Sequence, residues 1–209
     1  MMRRLPIHPV NPQPRLIQSV IETLQTGGVI VYPTDSAYAL GCTLGNKMAI
    51  DRIKKIRDLD KQHNFTLVCR DLSDIGIYAR ISNPIFRLLK THTPGAYTFI
   101  LPASTEVPRR LQHPKRKTIG LRIPNHPICL AILAALNEPL MSVTLILPNE
   151  KLPLVDTDTI EEKLTHQVDL FVDAGFCDID PTTVIDLTEG FPQIIRIGKG
   201  DAAPFSDNR

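Results

Sequence analysis

A run of hydroxyl and carboxylate side chains follows an apolar stretch near the N-terminus. Residues 29–32 have the composition of a buried strand, and Thr34, Ser36 and Tyr38 come directly after it. Because ligands of open α/β sheets favour the ends of strands, Thr34 and Ser36 are candidates for binding a small polar ligand, with Tyr38 walling the pocket. The alternative is an ordinary turn in which Asp35 caps the backbone.

A basic segment without any acidic residue lies between Val107 and Asn137. Such a patch attracts phosphates, either of a nucleotide or of nucleic acid, and a merely solvated basic loop is the alternative. Since Pro108 and Pro114 disfavour a helix, we expect an exposed loop that rims the mouth of a cavity and binds RNA in a salt-sensitive way. The cations expected to bind RNA are Arg109, Arg110, Lys115, Arg116 and Lys117.

Several site types are excluded by the absence of their motifs. The sequence has no glycine-rich phosphate loop, no nucleophile elbow and no zinc-type spacing among its 4 cysteines and 6 histidines. We therefore predict four free thiols in a reducing compartment and no bound zinc. No export signal and no membrane span is apparent, which predicts a cytoplasmic protein without a membrane partner.

Short apolar runs punctuated by 18 prolines predict alternating helices and strands. Strands and helices alternate early and strands cluster late, which indicates one α/β (α+β) domain over 1–209, with a core of about 14–200, built on a twisted mixed sheet flanked by helices. The predicted helices cover 15–26, 47–57, 72–80, 83–91, 127–136 and 158–166. The predicted strands cover 29–32, 65–69, 97–101, 118–123, 140–147, 168–172, 183–187 and 193–197.

Five ordered blocks resemble the signature of the YrdC-like family. The block Tyr-Pro-Thr-Asp-Ser-Ala-Tyr-Ala-Leu-Gly at 32–41 resembles the family's Pro-Thr-Glu-Thr-x-Tyr-Gly-Leu-Gly. The blocks at 93–101, 118–127, 181–187 and 195–198 follow in the family's order, and His63-Asn64-Phe65-Thr66-Leu67 and 141–145 place the chain nearest the YciO branch.

The resemblance implies a YrdC/RibB-like fold around a basic concave cavity. It also implies synthesis of L-threonylcarbamoyl-AMP from L-threonine, bicarbonate and ATP, a step in threonylcarbamoyladenosine modification of tRNA. Any Mg²⁺ would be held mainly by phosphates and water. Members of the family have also been described as binding double-stranded RNA.

The resemblance carries over to individual residues. Thr34, Arg122 and Thr182 match positions that contact the substrate, and Arg122 would pair with its carboxylate. The positions that match nucleotide contacts are Lys55, Arg57, Thr118, Thr144 and Arg196. The resemblance assigns no catalytic acid or base.

Two blocks depart from the family pattern. The family's Lys-x-Arg-Pro is spelled Lys55-Ile56-Arg57-Asp58, whereas counting without gaps sets Arg57 against the lysine and Leu59 against the arginine. The family's Ser-x-Asn falls on Thr144-Leu145-Ile146, and isoleucine supplies no amide. Two functions therefore stay open: a threonylcarbamoyl-AMP synthase of reduced or altered activity, and a non-catalytic protein that binds double-stranded RNA or tRNA.

Overall fold

The chain forms a mixed sheet with helices on both faces. The computed structural model describes residues 1–60, 63 and 65–206, and within them ten strands form one sheet and six segments are α-helical. The strands are β1 (Arg3–Pro6), β2 (Ile30–Tyr32), β3 (Ala39–Thr43), β4 (Thr66–Val68), β5 (Tyr97–Pro102), β6 (Thr118–Arg122), β7 (Leu140–Thr144), β8 (Leu170–Asp173), β9 (Thr183–Asp186) and β10 (Gln193–Arg196). The helices are α1 (Pro14–Gln25), α2 (Lys47–Arg57), α3 (Leu72–Tyr78), α4 (Asn83–His92), α5 (Pro127–Leu136) and α6 (Thr157–Leu164).

The strand order across the sheet is β1-β8-β2-β3-β7-β4-β6-β5-β9-β10. Parallel pairs such as β4 with β6 alternate with antiparallel pairs such as β3 with β7. The predicted mixed α/β architecture is therefore confirmed.

Local signals in the sequence place the helices well. Asn46 caps α2 by accepting a hydrogen bond from the backbone N–H of Ala49 at 3.0 Å, and Asp71 caps α3 in the same manner. Two strands, β1 and β3, were not predicted. β1 is a short edge strand that pairs with β8, far away in the chain. β3 contains Ala39 and Gly41, which are weak strand formers, and it pairs with nearby β2 and with distant β7.

The two faces of the sheet carry different side chains. Along β7, Met141 and Val143 enter the larger apolar core, which α2, α3, α4 and α6 cover. Leu140 points to the opposite face, where it packs in a second core with α1 and α5. Ser142 and Thr144 lie further along that same face, beyond the two helices, where the sheet is left open as a cavity.

One residue named above, Asn64, lies outside the described residues, as do 207–209.

Candidate functional site

Short and polar side chains on the open part of the sheet leave room for a cavity of about 250 Å³. Its floor includes Thr66 of β4, Gly120 of β6 and Thr98 of β5. A Cβ atom on Gly120 would lie 2.8 Å from Oγ1 of Thr66 and 3.1 Å from the carbonyl oxygen of Phe65. The absence of a side chain at position 120 therefore keeps the floor open.

Thr34 shapes the loop that forms one wall of the cavity. Its Oγ1 accepts hydrogen bonds from the backbone N–H groups of Ser36 and Ala37, both at 3.1 Å, and donates to the carbonyl oxygen of Ala37 at 2.6 Å. The hydroxyl oxygens of Thr34 and Ser36 are 3.0 Å apart. The Thr34 hydroxyl thus holds the loop in a fixed turn that presents Ser36 to the cavity.

Arg122 reaches the cavity from the end of β6 and is only 7% exposed. Its Nη2 forms an ion pair with Oδ1 of Asp35, and its Nη1 donates to Oγ of Ser36 at 3.3 Å. The other carboxylate oxygen of Asp35 accepts from the backbone N–H of Asn125 at 2.8 Å. The Nε–H of Arg122 is buried and has no hydrogen-bond partner, so one donor of a fixed guanidinium remains for a ligand.

Asp35 is the residue of this site that sequence reasoning did not assign. The sequence analysis gave it only a backbone-capping role, whereas it also positions Arg122. The signal was present in principle: a carboxylate at one strand end and a lone arginine at another form a plausible buried pair. The sequence did not indicate that these two ends meet.

Arg196 is a second anchored cation of the cavity. Nε and Nη2 of Arg196 donate to the carbonyl oxygen of Thr182 at 3.1 and 2.9 Å. The hydroxyls of Thr182 and Thr98 are 2.8 Å apart, which fixes the segment that holds Arg196. Burial, and to a lesser degree the positive charge of Arg122, lower the pKa of Arg196. The ordinary pKa of an arginine is so far above neutral pH that the side chain stays charged.

Arg57 and His63 line the cavity where α2 ends and β4 is about to begin. The Nε–H of Arg57 is buried and has no hydrogen-bond partner within the described residues, and burial lowers the pKa of this side chain. Burial also lowers the pKa of His63, and the positive charge of Arg57 adds to that effect.

The cavity is lined by residues that are far apart in the chain. Comparisons with known proteins identify the family to which the chain belongs. The Sua5/YciO/YrdC family model, described as telomere recombination, matches residues 22–198. The chain belongs to the Sua5/YciO/YrdC family.

Two relatives can be aligned in sequence with most or nearly all of this chain. YciO of Escherichia coli K12 is 53% identical over 199 residues, which is 95% of this chain and 97% of that protein. The crystal structure of E. coli YciO covers 98% of this chain and 100% of its own, with a TM-score of 0.95. A threonylcarbamoyl-AMP synthase of Vibrio vulnificus YJ016 is 25% identical over 160 residues, 75% of this chain and 84% of that one.

The fold extends to more distant members of the Sua5/YciO/YrdC family. A crystal structure of P. abyssi Sua5 complexed with L-threonine matches with a TM-score of 0.86 at 22% identity, over 94% of this chain and 58% of that chain. This likeness shows that the fold is shared.

The structure shows where both registers of the Lys-x-Arg-Pro block place their residues. Arg57 lines the cavity, whereas Lys55 is exposed and does not contribute to the lining, and Leu59 packs against the larger core. Because Lys55 and Arg57 lie on different faces of α2, only one of them faces the cavity. Arg57 belongs to the cavity in either register, so the choice between the two registers remains a matter for the variants below.

The altered Ser-x-Asn block also lies at the cavity. Thr144 and Ile146 both contribute to its lining, so the missing amide is a change inside the site. Thr118, in contrast, is not among the lining residues. It is 3% exposed, and its hydroxyl is buried without a partner on the side of β6 that also carries Gly120 and Arg122.

The basic loop, defined as residues 109–117, does not reach the cavity. None of its five cations is among the lining residues, which corrects the expectation that they rim the mouth. Buried Val107 and Leu111 anchor the loop in the larger core. Arg110 donates to the carbonyl oxygens of Leu44 at 3.2 Å and Gly45 at 2.7 Å, and Arg116 pairs with Asp186.

Three cations of the basic loop remain directed to solvent. Arg109, Lys115 and Lys117 are exposed and form no ion pair within the part of the chain that the structure describes. Asp186, the partner of Arg116, is 5% exposed. Burial alone would raise the pKa of Asp186, but hydrogen bonds from Thr188 and Arg116 outweigh burial and lower it.

Tyr38 does not wall the pocket. It is fully buried, its hydroxyl donates to the carbonyl oxygen of Gly175 at 2.7 Å, and its ring packs edge-on against Phe171 at 5.4 Å. Of the three hydroxyl side chains that follow β2, Thr34 and Ser36 line the cavity, whereas Tyr38 has a structural role.

The cysteines are buried free thiols at positions 42, 69, 129 and 177. Burial raises the pKa of Cys42 to about 12 and that of Cys177 to about 11, so both are protonated at neutral pH and are poor nucleophiles. Across the described ranges, no three His, Cys, Asp or Glu side chains group as metal ligands would. No described helix has the length and apolar character needed to cross a membrane.

Proposed function

We propose that this protein binds L-threonine and ATP in the cavity and, with bicarbonate, forms L-threonylcarbamoyl-AMP and pyrophosphate. This is the activity that the V. vulnificus relative is named for, and the P. abyssi Sua5 structure holds L-threonine. The product would serve threonylcarbamoyladenosine modification of tRNA.

The observation that carries the proposal is a pair of buried, unpartnered guanidinium donors in one cavity. The Nε–H groups of Arg57 and Arg122 both lack hydrogen-bond partners among the residues that the structure describes, although both side chains line the same space. An unsatisfied buried donor costs about 1–3 kcal/mol, which an anionic ligand would recover. Two such donors in one cavity favour a substrate pair with two anionic groups, as an amino acid and a nucleotide provide.

The wall formed by Thr34, Ser36 and Arg122 suits the amino acid. Arg122 is held in place by Asp35 and offers its Nε–H to the substrate carboxylate, a contact strengthened by charge. The nearby Ser36 hydroxyl gives this subsite a polar group that accepts or donates a hydrogen bond. A small zwitterion therefore fits this end of the cavity better than an apolar ligand.

Arg57 and Arg196, the two other arginines that line the cavity, suit the phosphates. Threonine's amine and bicarbonate combine to N-carboxy-threonine and water. A carboxylate oxygen of that carbamate then forms a bond to the α-phosphorus of ATP, the bond from this phosphorus to the bridging oxygen breaks, and pyrophosphate leaves. Positive charge at fixed positions neutralises the charge that develops on the leaving group.

Mg²⁺ would enter with the nucleotide. The described residues that line the cavity include no carboxylate, so the chain offers hydroxyls and arginines there but no hard-metal ligand set. A cation at this site would be held by phosphate oxygens and water, and it would contribute charge neutralisation.

Ile146 lowers the expected rate. An asparagine amide at this position would donate a hydrogen bond to the nucleotide, and its loss costs about 1–3 kcal/mol if the partner stays unpaired. A tenfold to hundredfold lower rate than that of an enzyme with the asparagine is therefore expected.

The test is pyrophosphate release with each substrate omitted in turn. We expect release to require both L-threonine and bicarbonate, and mass spectrometry to find threonylcarbamoyl-AMP. The Arg57→Ala variant should lose most of this release while keeping the melting temperature of the wild type. Pyrophosphate release that is independent of threonine, or no release at all, would contradict the proposed synthase.

A second candidate is binding of double-stranded RNA or tRNA without catalysis. It is favoured by the three exposed cations Arg109, Lys115 and Lys117 on the basic loop. Double-stranded RNA is recognised mainly through shape and phosphates, for which such a loop suffices. Loss of catalysis with retained, salt-sensitive RNA binding would favour this candidate.

A further inference from the structure

His63 is a titratable group of the cavity to which the proposed reaction assigns no role. It lies between the end of α2 and the start of β4 and lines the cavity with Arg57. Its ring packs edge-on against Phe65, with centroids 5.5 Å apart and an angle of 71° between the planes. This contact fixes one side of the imidazole while another part of the ring faces the cavity.

The charges around His63 come from few elements. Arg57 of α2 disfavours protonation of the imidazole and Asp60 of the following loop favours it. Nζ of Lys54 in α2 lies 5.3 Å from the centroid of the Phe65 ring, the same ring that packs against His63. The strands that line the cavity near His63 bring Thr66, Gly120, Thr144 and Ile146, none of which is charged. Among the described residues, the other arginines and lysines of the cavity lining are Arg122 and Arg196.

We propose that His63 is a proton-linked phosphate contact: it takes up a proton when the polyphosphate of the nucleotide binds and then acts as a second cation beside Arg57. This inference rests on the proposed function, because it needs a nucleotide in the cavity. It identifies a cation for the place where the gapless alignment leaves uncharged Leu59.

The direction of the proton linkage follows from the surroundings of the ring. Without ligand, burial and then Arg57 lower the pKa of His63, so the imidazole is neutral at pH 7. A triphosphate carries several negative charges: it neutralises Arg57 and attracts the imidazolium, and this attraction opposes the effect of burial. The pKa of His63 in the complex therefore lies above that in the free protein, and nucleotide affinity rises as the pH falls through this range.

The test uses calorimetric titration with α,β-methylene-ATP, in which the bond to the leaving group does not break. Titrations at pH 6.5 in buffers of different ionisation enthalpy give the number of protons taken up per nucleotide bound. His63→Gln keeps a polar side chain but cannot gain a charge. His166→Gln, at an exposed position outside the cavity lining, is the matched control because it also removes one histidine.

We expect wild type and His166→Gln to take up more protons than His63→Gln, by up to about one proton per nucleotide. We also expect His63→Gln to weaken nucleotide binding about tenfold at pH 6.5. The loss should be much smaller at pH 8, where a smaller fraction of the wild-type complex carries a protonated His63. The titration of the nucleotide's own phosphates is common to all three proteins and cancels in this comparison.

Equal proton uptake by wild type and His63→Gln, with nucleotide bound in both, would overturn the role of His63 and leave the proposed synthase intact. A failure of the wild type to bind α,β-methylene-ATP at any pH between 6 and 8 would overturn both. An equal affinity loss at pH 6.5 and pH 8 would also overturn the inference, since a purely steric role is independent of pH.

Discussion

The cavity arginines and the basic loop contain the same kinds of side chain but differ in how those side chains are held. Arg122 is buried and anchored by Asp35, and Arg196 is anchored on the backbone of Thr182. Arg109, Lys115 and Lys117 of the basic loop are exposed and form no ion pair within the described structure. A fixed, partly desolvated guanidinium can select a ligand of defined shape, whereas mobile exposed cations provide a diffuse attraction to phosphate.

Salt should distinguish the two regions. At physiological ionic strength, charges in water are screened over about 8 Å, while buried pairs are screened much less. Substrate binding in the cavity should therefore depend weakly on salt, and binding to the basic loop strongly. The following variants test that difference, in order of decreasing expected effect.

The largest effect is expected at Arg122. Arg122→Ala removes the carboxylate contact and leaves Asp35 without its cation, so we expect the value of kcat/KM for L-threonine to fall about a hundredfold. Arg122→Lys keeps a charge beside Asp35 but not the planar fork, and about a tenfold loss is expected. Arg87→Ala, on the exposed surface of α4, is the control for loss of one arginine. An unchanged KM for threonine in Arg122→Ala would place the amino acid elsewhere.

Arg57 and Lys55 give a matched pair on one helix. Arg57→Ala should raise the KM for ATP tenfold or more, because it removes a cation from the cavity, whereas Lys55→Ala should change it less than about twofold. Steady-state kinetics with ATP varied at saturating threonine measure the difference. A larger effect at Lys55 would mean that the alternative register of the Lys-x-Arg block is the functional one.

Ile146 offers a gain of function. Ile146→Asn restores an amide in the cavity, and we expect the rate of threonine-dependent pyrophosphate release to rise about tenfold. Ile146→Ala enlarges the cavity without a new donor and should not raise the rate. An equal rise in both variants would indicate that space, and not a hydrogen bond, limits the reaction.

The basic loop should affect RNA binding and leave the cavity reaction unchanged. Replacing Arg109, Lys115 and Lys117 together with alanine should flatten the plot of log affinity for duplex RNA against log salt by up to about three units, or about eightfold in affinity per doubling of salt. Filter binding at several salt concentrations measures the slope. An unchanged slope, or no wild-type binding at low salt, would mean that the loop is only solvated.

The smallest effect concerns acid stability at His126, next to the Asp35–Arg122 pair. Burial lowers the pKa of His126 and the charge of Asp35 opposes this, with a net lowering, so the unfolded chain binds the proton more readily. Stability due to this group is therefore present above the unfolded pKa of about 6.5 and is lost as the pH falls below it. We expect the melting temperature of His126→Gln to fall less between pH 7 and pH 5 than that of the wild type. A parallel fall in both would remove His126 from the acid response.

Much of the fold could be predicted from the sequence because its signals are local. The Asn46 cap of α2 and the apolar periodicity of α1 involve only residues that are close together in the chain, and both helices form as predicted. β3 was not predicted: Ala39 and Gly41 are weak strand formers, and β3 is held between β2, which precedes it closely, and β7, about a hundred residues further along the chain.

The site was predictable in its residue types and less so in its contacts. Thr34, Arg57, Arg122, Thr144, Thr182 and Arg196 all line the cavity, as expected of residues chosen for contact with small ligands. The position of the basic loop was wrong because charge density says nothing about the apolar anchors, Val107 and Leu111, that set where a loop lies. The pairing of Asp35 with Arg122 depends on tertiary contact and has no local signature.

A crystal structure of the protein with L-threonine and α,β-methylene-ATP would test the central claim most directly, namely that one cavity receives both substrates. We predict the threonine carboxylate within hydrogen-bonding distance of Nε of Arg122, and the phosphates against Arg57 and Arg196. Ligands bound outside this cavity, or a threonine carboxylate that contacts neither Arg122 nor Ser36, would contradict the proposed function.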